Sequence, residues 1–592
     1  MPYIGRPMPL MPRPSSPPSS PRRRQWLQAS AAAAAGLWLS GCEKKPAPDL
    51  LGGYTGDAME RGHALRDRLA EGAPYQPDIV RRTQVVIAGG GVAGLAAARA
   101  LRLAGVDDFQ CMEMDGQPGG NSRAGSVGGL ACPLGAPGLP VPGDDAREVQ
   151  DLLEELGLRQ REAGRWRYGG EAGQYLARSP QERLFFQGHW QDGLLPVAGV
   201  GEATLAQYRR FGARVAELAG AARFAMPVLK TWAPNRALAP VHQSLDAMTF
   251  EAWLAQEGLD DAHLRWYLDY CCRDDYGAGA ARVSAWAGIR YFASRHGFRA
   301  PGEGGEGVDP PGELLAWPEG NGWLTRRLAA PLAQGGQLRT GASVLRIAET
   351  RRGVEVDVYL HASDSIERWQ ARRCIVALPV HVAARVVRPA PDFLTQAARQ
   401  LQWAPWLVAN IHIDAPLAER DGAAPAWNNV LHADPVAGGL GYVHAGRPRT
   451  DSRPDSRPAS PGPTVLTYYQ ALGDVPGAHQ QLAEQPWTHW RSAILAALSA
   501  PHPDLQGRAT RMEVTRYGHA TPLPVPGTQA LLSKIGLSRL SNKRYQLSNG
   551  ERVPMPPTPG TPRLLFAHAD WSGYSVFEEA FTRGHAAGLA AV

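Results

Sequence analysis

Short runs of consecutive apolar residues, each closed by glycines or an acid, alternate along this chain with stretches whose apolar positions recur every three or four residues. Thr83-Gln84-Val85-Val86-Ile87-Ala88 is apolar at successive positions, so both of its faces call for burial, and it predicts a strand inside a parallel sheet. Gly89-Gly90-Gly91-Val92-Ala93-Gly94 follows at once, and Val92 to Ala104 carries the helical period. Phe109 to Met114 reads as a second strand. Trp317 to Leu324 opens a helix reaching about Leu332, followed by strand-like Gly341 to Ile347, Val354 to Leu360 and Cys374 to Leu378. The chain ends on a buried strand, Arg563 to Asp570, and a helix from about Glu578 to Ala591. Strands that alternate with helices predict an α/β fold.

Two long insertions interrupt this order. They are rich in tryptophan and tyrosine and contain a capped helix start at Thr249-Phe250-Glu251, an aromatic helix from Trp266 to Tyr276, and a further helix from Trp286 to Arg295. The expected organisation is a dinucleotide-binding domain of residues 83–150, 317–385 and 556–592, with a discontinuous α+β substrate domain of residues 151–316 and 386–555. Residues 43–82 supply a tether and a surface helix, Asp57 to Leu69. Residues 447–463, dense in Arg, Pro, Ser and Asp, predict a loop tip.

With 592 residues, 44% hydrophobic and 20% charged, the chain can bury a large core. Its net charge of +6 is misleading, because five arginines precede Cys42 and no acid does, which leaves 57 basic against 56 acidic groups. A nucleic-acid footprint is therefore not expected. The early arginines, Arg22-Arg23-Arg24, lead into the apolar run Ala29 to Leu39 and then Leu39-Ser40-Gly41-Cys42, which resembles a twin-arginine signal ending in a lipoprotein box. Only seventeen residues, 25–41, separate arginines from cysteine, fewer than the roughly 20 a membrane span needs. The resemblance implies export of the folded protein, cleavage before Cys42 and lipidation of its sulfur, which anchors the chain to a bacterial membrane on the periplasmic or cell-surface side. Cys111, Cys132, Cys271, Cys272 and Cys374 show no metal-ligand spacing and read as buried thiols.

The glycine turn has a defined chemistry. Gly89 permits the turn, Gly91 lets backbone approach a pyrophosphate, and Gly94 lets the helix pack close to the strand. Val92 and Ala93 begin that helix, whose free amides and positive dipole end attract phosphate. Glu113, at the end of the second strand, is placed to accept hydrogen bonds from a ribose diol. These residues alone permit NAD or FAD.

Gln117-Pro118-Gly119-Gly120-Asn121-Ser122-Arg123 and Leu134-Gly135-Ala136 follow, then the Trp317 helix and meander, and Phe566-Ala567-His568-Ala569-Asp570-Trp571-Ser572-Gly573-Tyr574 at the chain end. Together they resemble the flavin amine oxidase superfamily. That resemblance implies FAD in a Rossmann-like domain of the amine oxidase type. It places Gly119, Gly120, Arg123, Gly135 and Ala136 against the cofactor, gives Val344 a backbone contact to adenine, Asp570 the ribityl or pyrophosphate region, and the amides near Glu579 the flavin ring.

The same resemblance implies hydride transfer from an amine, a polyamine or monoamine, to flavin N5. Tyr574 is expected as one wall of an aromatic cage around the amine, supported by Trp571. Asp274 and Asp275 are candidates for attracting the amine, and His519 for a loop contact near the flavin. A lysine common in the family, which favours reaction with oxygen, is replaced by Leu394, so the electron acceptor is oxygen or a quinone-type carrier. Two alternatives stay open: an apolar substrate, as in desaturase-like relatives, and a non-catalytic flavin-bearing component at a membrane surface.

Overall fold

The architecture was obtained as a computed structural model, which describes residues 50–592 apart from 57–58, 73–74, 163, 171–172, 178–180, 233–237, 296, 302–312, 433, 435, 445–461, 538–543, 548–549 and 555–557. Cys42, its signal-like surroundings and nearly all of the expected loop tip lie outside the described residues. Residues 50–592 form one compact unit.

Two large sheets organise it. The first has the order Leu338–Arg339, Phe109–Met112, Ile79–Ala88, Ser365–Val376, Val354–Leu360, Ala342–Glu349. Its spine is the long strand Ser365–Val376, which runs parallel to Ile79–Ala88 on one side. On its other side it pairs antiparallel with Val354–Leu360 in its first half and parallel with Leu564–Phe566 at its end. Chain segments far apart in sequence thus meet at one strand end. Val85 to Ala88 are 0–2% exposed, as their unbroken apolar run requires.

The helix Val92–Leu103 packs against this sheet and against the final helix, Phe577–Ala590. Small residues allow the close approach: a Cβ on Gly584 would lie 2.0 Å from the Ala93 carbonyl oxygen, and one on Gly588 2.5 Å from that of Ala97.

The second sheet has the order Leu51–Tyr54, Ala509–Leu523, Gln402–Ile413, Thr464–Ala471, Gly439–Val443, Asn428–Leu431, Glu182–Phe186, His189–Asp192. Helices Glu202–Ala221, Phe250–Gln256, Ala262–Tyr276 and Ala285–Ala293 gather around an aromatic core that includes Phe211, Phe250, Trp253 and Phe292. Thr249, Asp261 and Ser284 each cap a helix by accepting backbone amides. Gly277, with φ of 80°, ends Ala262–Tyr276, and a Cβ there would lie 2.5 Å from both Ala404 and Trp406. The C-terminal turn of that helix, carrying Asp274 and Asp275, is therefore pinned against the second sheet.

Several expectations are corrected. The segment read as tether contains a strand, Leu51–Tyr54, parallel to Ala509–Leu523, and the surface helix spans Met59–Glu71. The expected boundary at 150 falls inside the helix Arg147–Glu155, whose Asp151 is paired with the buried Arg99 of Val92–Leu103. The last strand stops at Phe566, and Asp570 sits in a single tight turn, Ala569–Ser572, because His568 turns the chain and accepts the Asp570 amide. All five cysteines among the described residues are buried and unpaired. Among those residues no helix is long and apolar enough to cross a membrane.

Candidate active site

The glycine turn fits a dinucleotide in detail. Gly89 has φ of 103°, and a Cβ there would lie 2.4 Å from the Ala377 carbonyl oxygen, so strand end and turn are packed backbone to backbone. A Cβ on Gly94 would fall 1.8 Å from the Gly89 oxygen. Gly91 has only the Gly120 backbone near its missing side chain, at 3.8 Å, which leaves an open cradle between the two glycines. Gly91 and Gly119 also form a backbone bridge. The helix that starts at Val92 has no side-chain cap although Val92 and Ala93 are buried, so its first amides are left for a ligand.

Glu113 stands at the end of its strand and accepts the Gly90 amide at 2.9 Å and the Asp115 amide at 2.8 Å. Burial pushes its carboxyl up to about 7, against the pull of those amides. The strand Ala342–Glu349 begins beside it, with the Ala342 amide 2.8 Å from the Glu113 oxygen. Val344 follows, and the ladder slips between Val344 and Arg346, a bulge that releases backbone groups from pairing.

The expected loop segments converge. Gly119 donates to Gly90, Ala136 to Asn121, and Asn321 to Ala136, which joins residues 119–123 to 134–136 and to the helix Gly322–Gln334. A Cβ on Gly135 would lie 2.1 Å from the Asn121 oxygen. Arg123 donates to Asp115 and to the Gly120 oxygen, so it braces the loop through its own side chain.

Asp570 is 1% exposed and accepts the Val380 amide at 2.8 Å and the Trp403 indole at 3.1 Å. Burial works to raise its carboxyl, but His568, the Val380 amide and His381 outweigh this and hold it below its usual range. Val380 lies three residues beyond the Ala377 that packs on Gly89, which brings Asp570 to the mouth of the turn. The final helix begins at Phe577 without a side-chain cap, with Phe577 5% and Glu578 2% exposed. Its first amides are free of helical partners, while the Glu579 carboxylate points elsewhere, onto the Val228 amide, the Ser572 hydroxyl and Arg290. Two buried, uncapped helix starts and a glycine cradle suit a pyrophosphate and a ring carbonyl, so these residues fit FAD.

Tyr574 is not the open cage wall that its position in the sequence suggests. It is 1% exposed, with the Arg290 guanidinium over its ring at 4.4 Å and Tyr276 at 5.3 Å. Its hydroxyl donates to Asp275 at 2.7 Å and accepts from Arg295. Trp571, 2% exposed, packs edge-on against Phe566 and near Phe393. Both are interior supports, because a side chain covered on all sides offers no face to a substrate. His519 stacks on His381 at 4.5 Å, and partial enclosure together with His479 and Arg385 lowers its pKa.

A cluster of acids and tyrosines gathers near the cofactor loops instead. Asp274 and Glu182 carry accessible surface, yet burial is the largest influence on each and pushes both carboxyls upward, Asp274 to about 7. Tyr267, Tyr291 and Asn428 belong to the same cluster, each partly accessible. Tyr469 adjoins Asp274 and donates its hydroxyl to the Gly135 oxygen at 2.8 Å, while Tyr517 donates to the Leu134 oxygen at 2.8 Å. Tyr469 therefore links the cofactor loop to the acids. Glu182, Tyr469 and Tyr517 carried no signal in the sequence beyond membership of expected strands or insertions.

Residues 92–588 match the family described as flavin containing amine oxidoreductase. The chain belongs to that family. It is an FAD-dependent oxidoreductase. No curated protein sequence matches it. Among solved structures it is similar to a wild-type putrescine oxidase bound to putrescine, with a TM-score of 0.58 and 18% identity over 86% of this chain and 99% of that one. A cyclohexylamine oxidase from Brevibacterium oxydans IH-35A aligns with a TM-score of 0.56 and 17% identity, over 86% and 98% of the two chains. A fatty acid isomerase from P. acnes aligns at 0.54 and 14%, over 86% and 98%. At these identities the likeness is one of fold.

Proposed function

We propose that the protein oxidises a cationic amine, passing a hydride equivalent from the carbon next to nitrogen to flavin N5 and its electrons onward to a quinone-type carrier. The observation that carries the reading is the pair of accessible carboxylates, Asp274 and Glu182, in a cluster joined to the cofactor loop through Tyr469. Neighbouring carboxylates repel one another, and an ammonium group between them relieves that cost. An apolar substrate would gain nothing from them, which disfavours the desaturase-like alternative.

When bound, FAD supplies the hydride acceptor. The chain's own residues do the rest: Glu182 and Asp274 bind and orient the ammonium, Tyr267 and Tyr291 flank it, and Tyr469 and Tyr517 hold residues 134–136 in place. A non-oxygen acceptor is supported by Leu394, which is fully buried in apolar surroundings.

Anaerobic mixing of the FAD-loaded protein with a panel of amines, headed by putrescine, tests the reading. Bleaching of the oxidised flavin by at least one amine is the expected result; a spectrum left unchanged by the whole panel would overturn it. We further propose that the protein is exported and held at a membrane by lipid on Cys42, for which a Cys42→Ser chain should move from the membrane to the soluble fraction of the cell.

A further inference from the structure

Residues 159–168 form a two-stranded hairpin, Arg159–Glu162 paired antiparallel with Arg165–Tyr168, that joins neither large sheet. Its base is fixed: Leu158 is 1% exposed, the Gly169 amide donates to the Leu158 oxygen, and Arg159 donates to Glu154 and to the Tyr168 hydroxyl. Beyond the base it projects into solvent, and every described residue from 160 to 167 is exposed. A lone hairpin is marginal in water, and here a cross-strand contact holds it: Trp166 lies opposite Arg161, and the Arg159 guanidinium covers its ring at 3.7 Å.

The charge of this projection sets it apart from the rest of the chain. Residues 159–168 carry four arginines and one acid, whereas the chain beyond Cys42 balances 57 basic groups against 56 acidic ones. Arg161 and Arg165 have no ion pair among the described residues. Arg167 meets Glu162 at 3.9 Å with both side chains largely in water, too loosely to neutralise it. Trp166, 43% exposed, is the one exposed tryptophan among the described residues. Side chains alternate along a strand, so Arg161 and Trp166 share one face of the hairpin while Arg165 and Arg167 share the other.

We propose that this hairpin docks on an anionic phospholipid surface, its arginines on headgroup phosphates and Trp166 at the depth where headgroups give way to acyl chains. An indole suits that depth because it joins an apolar body to a polar N–H. Each arginine at such a surface strengthens binding by about fivefold. A protein partner fits less well: a specific interface engages about 20–30 residues a side, which so short a projection cannot supply. Nucleic acid is disfavoured by the balanced charge of the remaining chain. The contact depends neither on the amine reading nor on lipid at Cys42; beside that lipid it is a second attachment, and stable anchoring takes two.

The test uses the FAD-loaded full chain with Cys42→Ser, which carries no lipid, and vesicles of phosphatidylcholine alone or with one part in three of phosphatidylserine. Residues 25–41 are apolar enough to enter both, so the reading is the difference between them in co-sedimentation. Anionic vesicles should be preferred by about 100-fold, and the triple change Arg161→Gln, Arg165→Gln and Arg167→Gln should abolish the preference. Trp166→Ala should lower affinity for anionic vesicles about tenfold. Both variants should keep the FAD content of the wild-type protein, since the exposed side chains they alter lie outside the core. The cysteines among the described residues are all buried, so Gln160→Cys takes a solvatochromic maleimide selectively. Its emission should move to the blue on anionic vesicles and return in high salt.

The proposal is overturned if the triple variant keeps the preference, or if the probe emits as in water while the chain is bound. It is also overturned if inositol hexakisphosphate in solution binds as tightly as the anionic vesicles and Trp166→Ala alters neither, because the hairpin is then a site for soluble anions.

Discussion

Arg290 and Glu579 meet 3.1 Å apart with neither side chain exposed. The pair ties Ala285–Ala293, from the first insertion, to the start of the helix Phe577–Ala590 beside the cofactor. Glu579 also accepts the Val228 amide and the Ser572 hydroxyl, and Arg290 donates to the Ala225 oxygen. Removing one partner strands the other charge in the interior. Arg290→Met should cost about 3–5 kcal/mol in denaturant unfolding, and the double change Arg290→Met with Glu579→Leu should recover much of it. A single variant of wild-type stability would show that the pair carries no such strain.

Gly94 and Gly62 make a matched contrast. At Gly94 an added Cβ meets the Gly89 oxygen at 1.8 Å, so Gly94→Ala must push the helix Val92–Leu103 off its strand and spoil the cradle. Gly62, within Met59–Glu71, has nothing within 4 Å, and alanine there should stabilise by about 0.5–1 kcal/mol through helix propensity. Gly94→Ala should emerge from purification without yellow colour; Gly62→Ala should keep full FAD content and melt no lower than wild type.

Glu113 makes cofactor binding depend on pH. Ribose hydroxyls donate to the ionised carboxylate, yet burial holds this carboxyl at about 7, so lowering the pH below 7 removes the form that binds. FAD affinity should weaken between pH 7 and 5 by up to about tenfold per unit. In the protein without FAD the sign is reversed. A carboxyl raised above its ordinary value stabilises the fold fully below that ordinary range and loses the contribution as pH rises through 7, as Glu578 and Asp274 also do. Titrating FAD at several pH values checks both; Glu113→Gln should flatten the dependence.

Much of the cofactor side could be read directly, because each glycine, strand and acid is tied to its neighbours in sequence. Gly89, Gly94 and Glu113 pack at one strand end, Gly119 and Gly120 lie against that turn, and Gly135 and Ala136 against Asn121. The substrate side could not. Glu182 is brought to Asp274 by the parallel pairing of Glu182–Phe186 with Asn428–Leu431, a relation between strands some 240 residues apart that no local pattern encodes. Tyr574 misled for the complementary reason. Its neighbours in sequence match a cage motif, but Asp275 and Arg295, from another part of the chain, bind its hydroxyl and turn it inward.

That correction can be checked. Tyr574→Phe should lower stability by about 1.5–3 kcal/mol, since its hydroxyl bridges a half-buried ion pair, and should leave amine binding nearly unchanged. Tyr469→Phe removes a hydroxyl from the Gly135 oxygen in the cofactor loop and should slow flavin reduction more than it lowers stability. An open cage at Tyr574 would reverse this order.

Leu394 bears on where the electrons go. It is 0% exposed in the helix Asp392–Gln400, and its partner Phe393 packs on Phe566 and Trp571, so this part of the wall carries no cation. The lysines among the described residues stand elsewhere: Lys230 is bound to Glu148 at 3.0 Å and Lys534 is exposed. Oxygen reduction begins with transfer of an electron to form an anion, and without a nearby cation that charge is poorly stabilised in an apolar interior. A quinone takes up its electrons with protons and depends less on such a charge. Flavin reduced by amine and then exposed to air should therefore reoxidise at least about tenfold more slowly than with a soluble quinone, a factor equivalent to about 1.4 kcal/mol of barrier. Leu394→Lys should narrow the gap wherever the buried ammonium keeps its proton; equal rates in the wild-type protein would make oxygen the acceptor and Leu394 irrelevant to the choice.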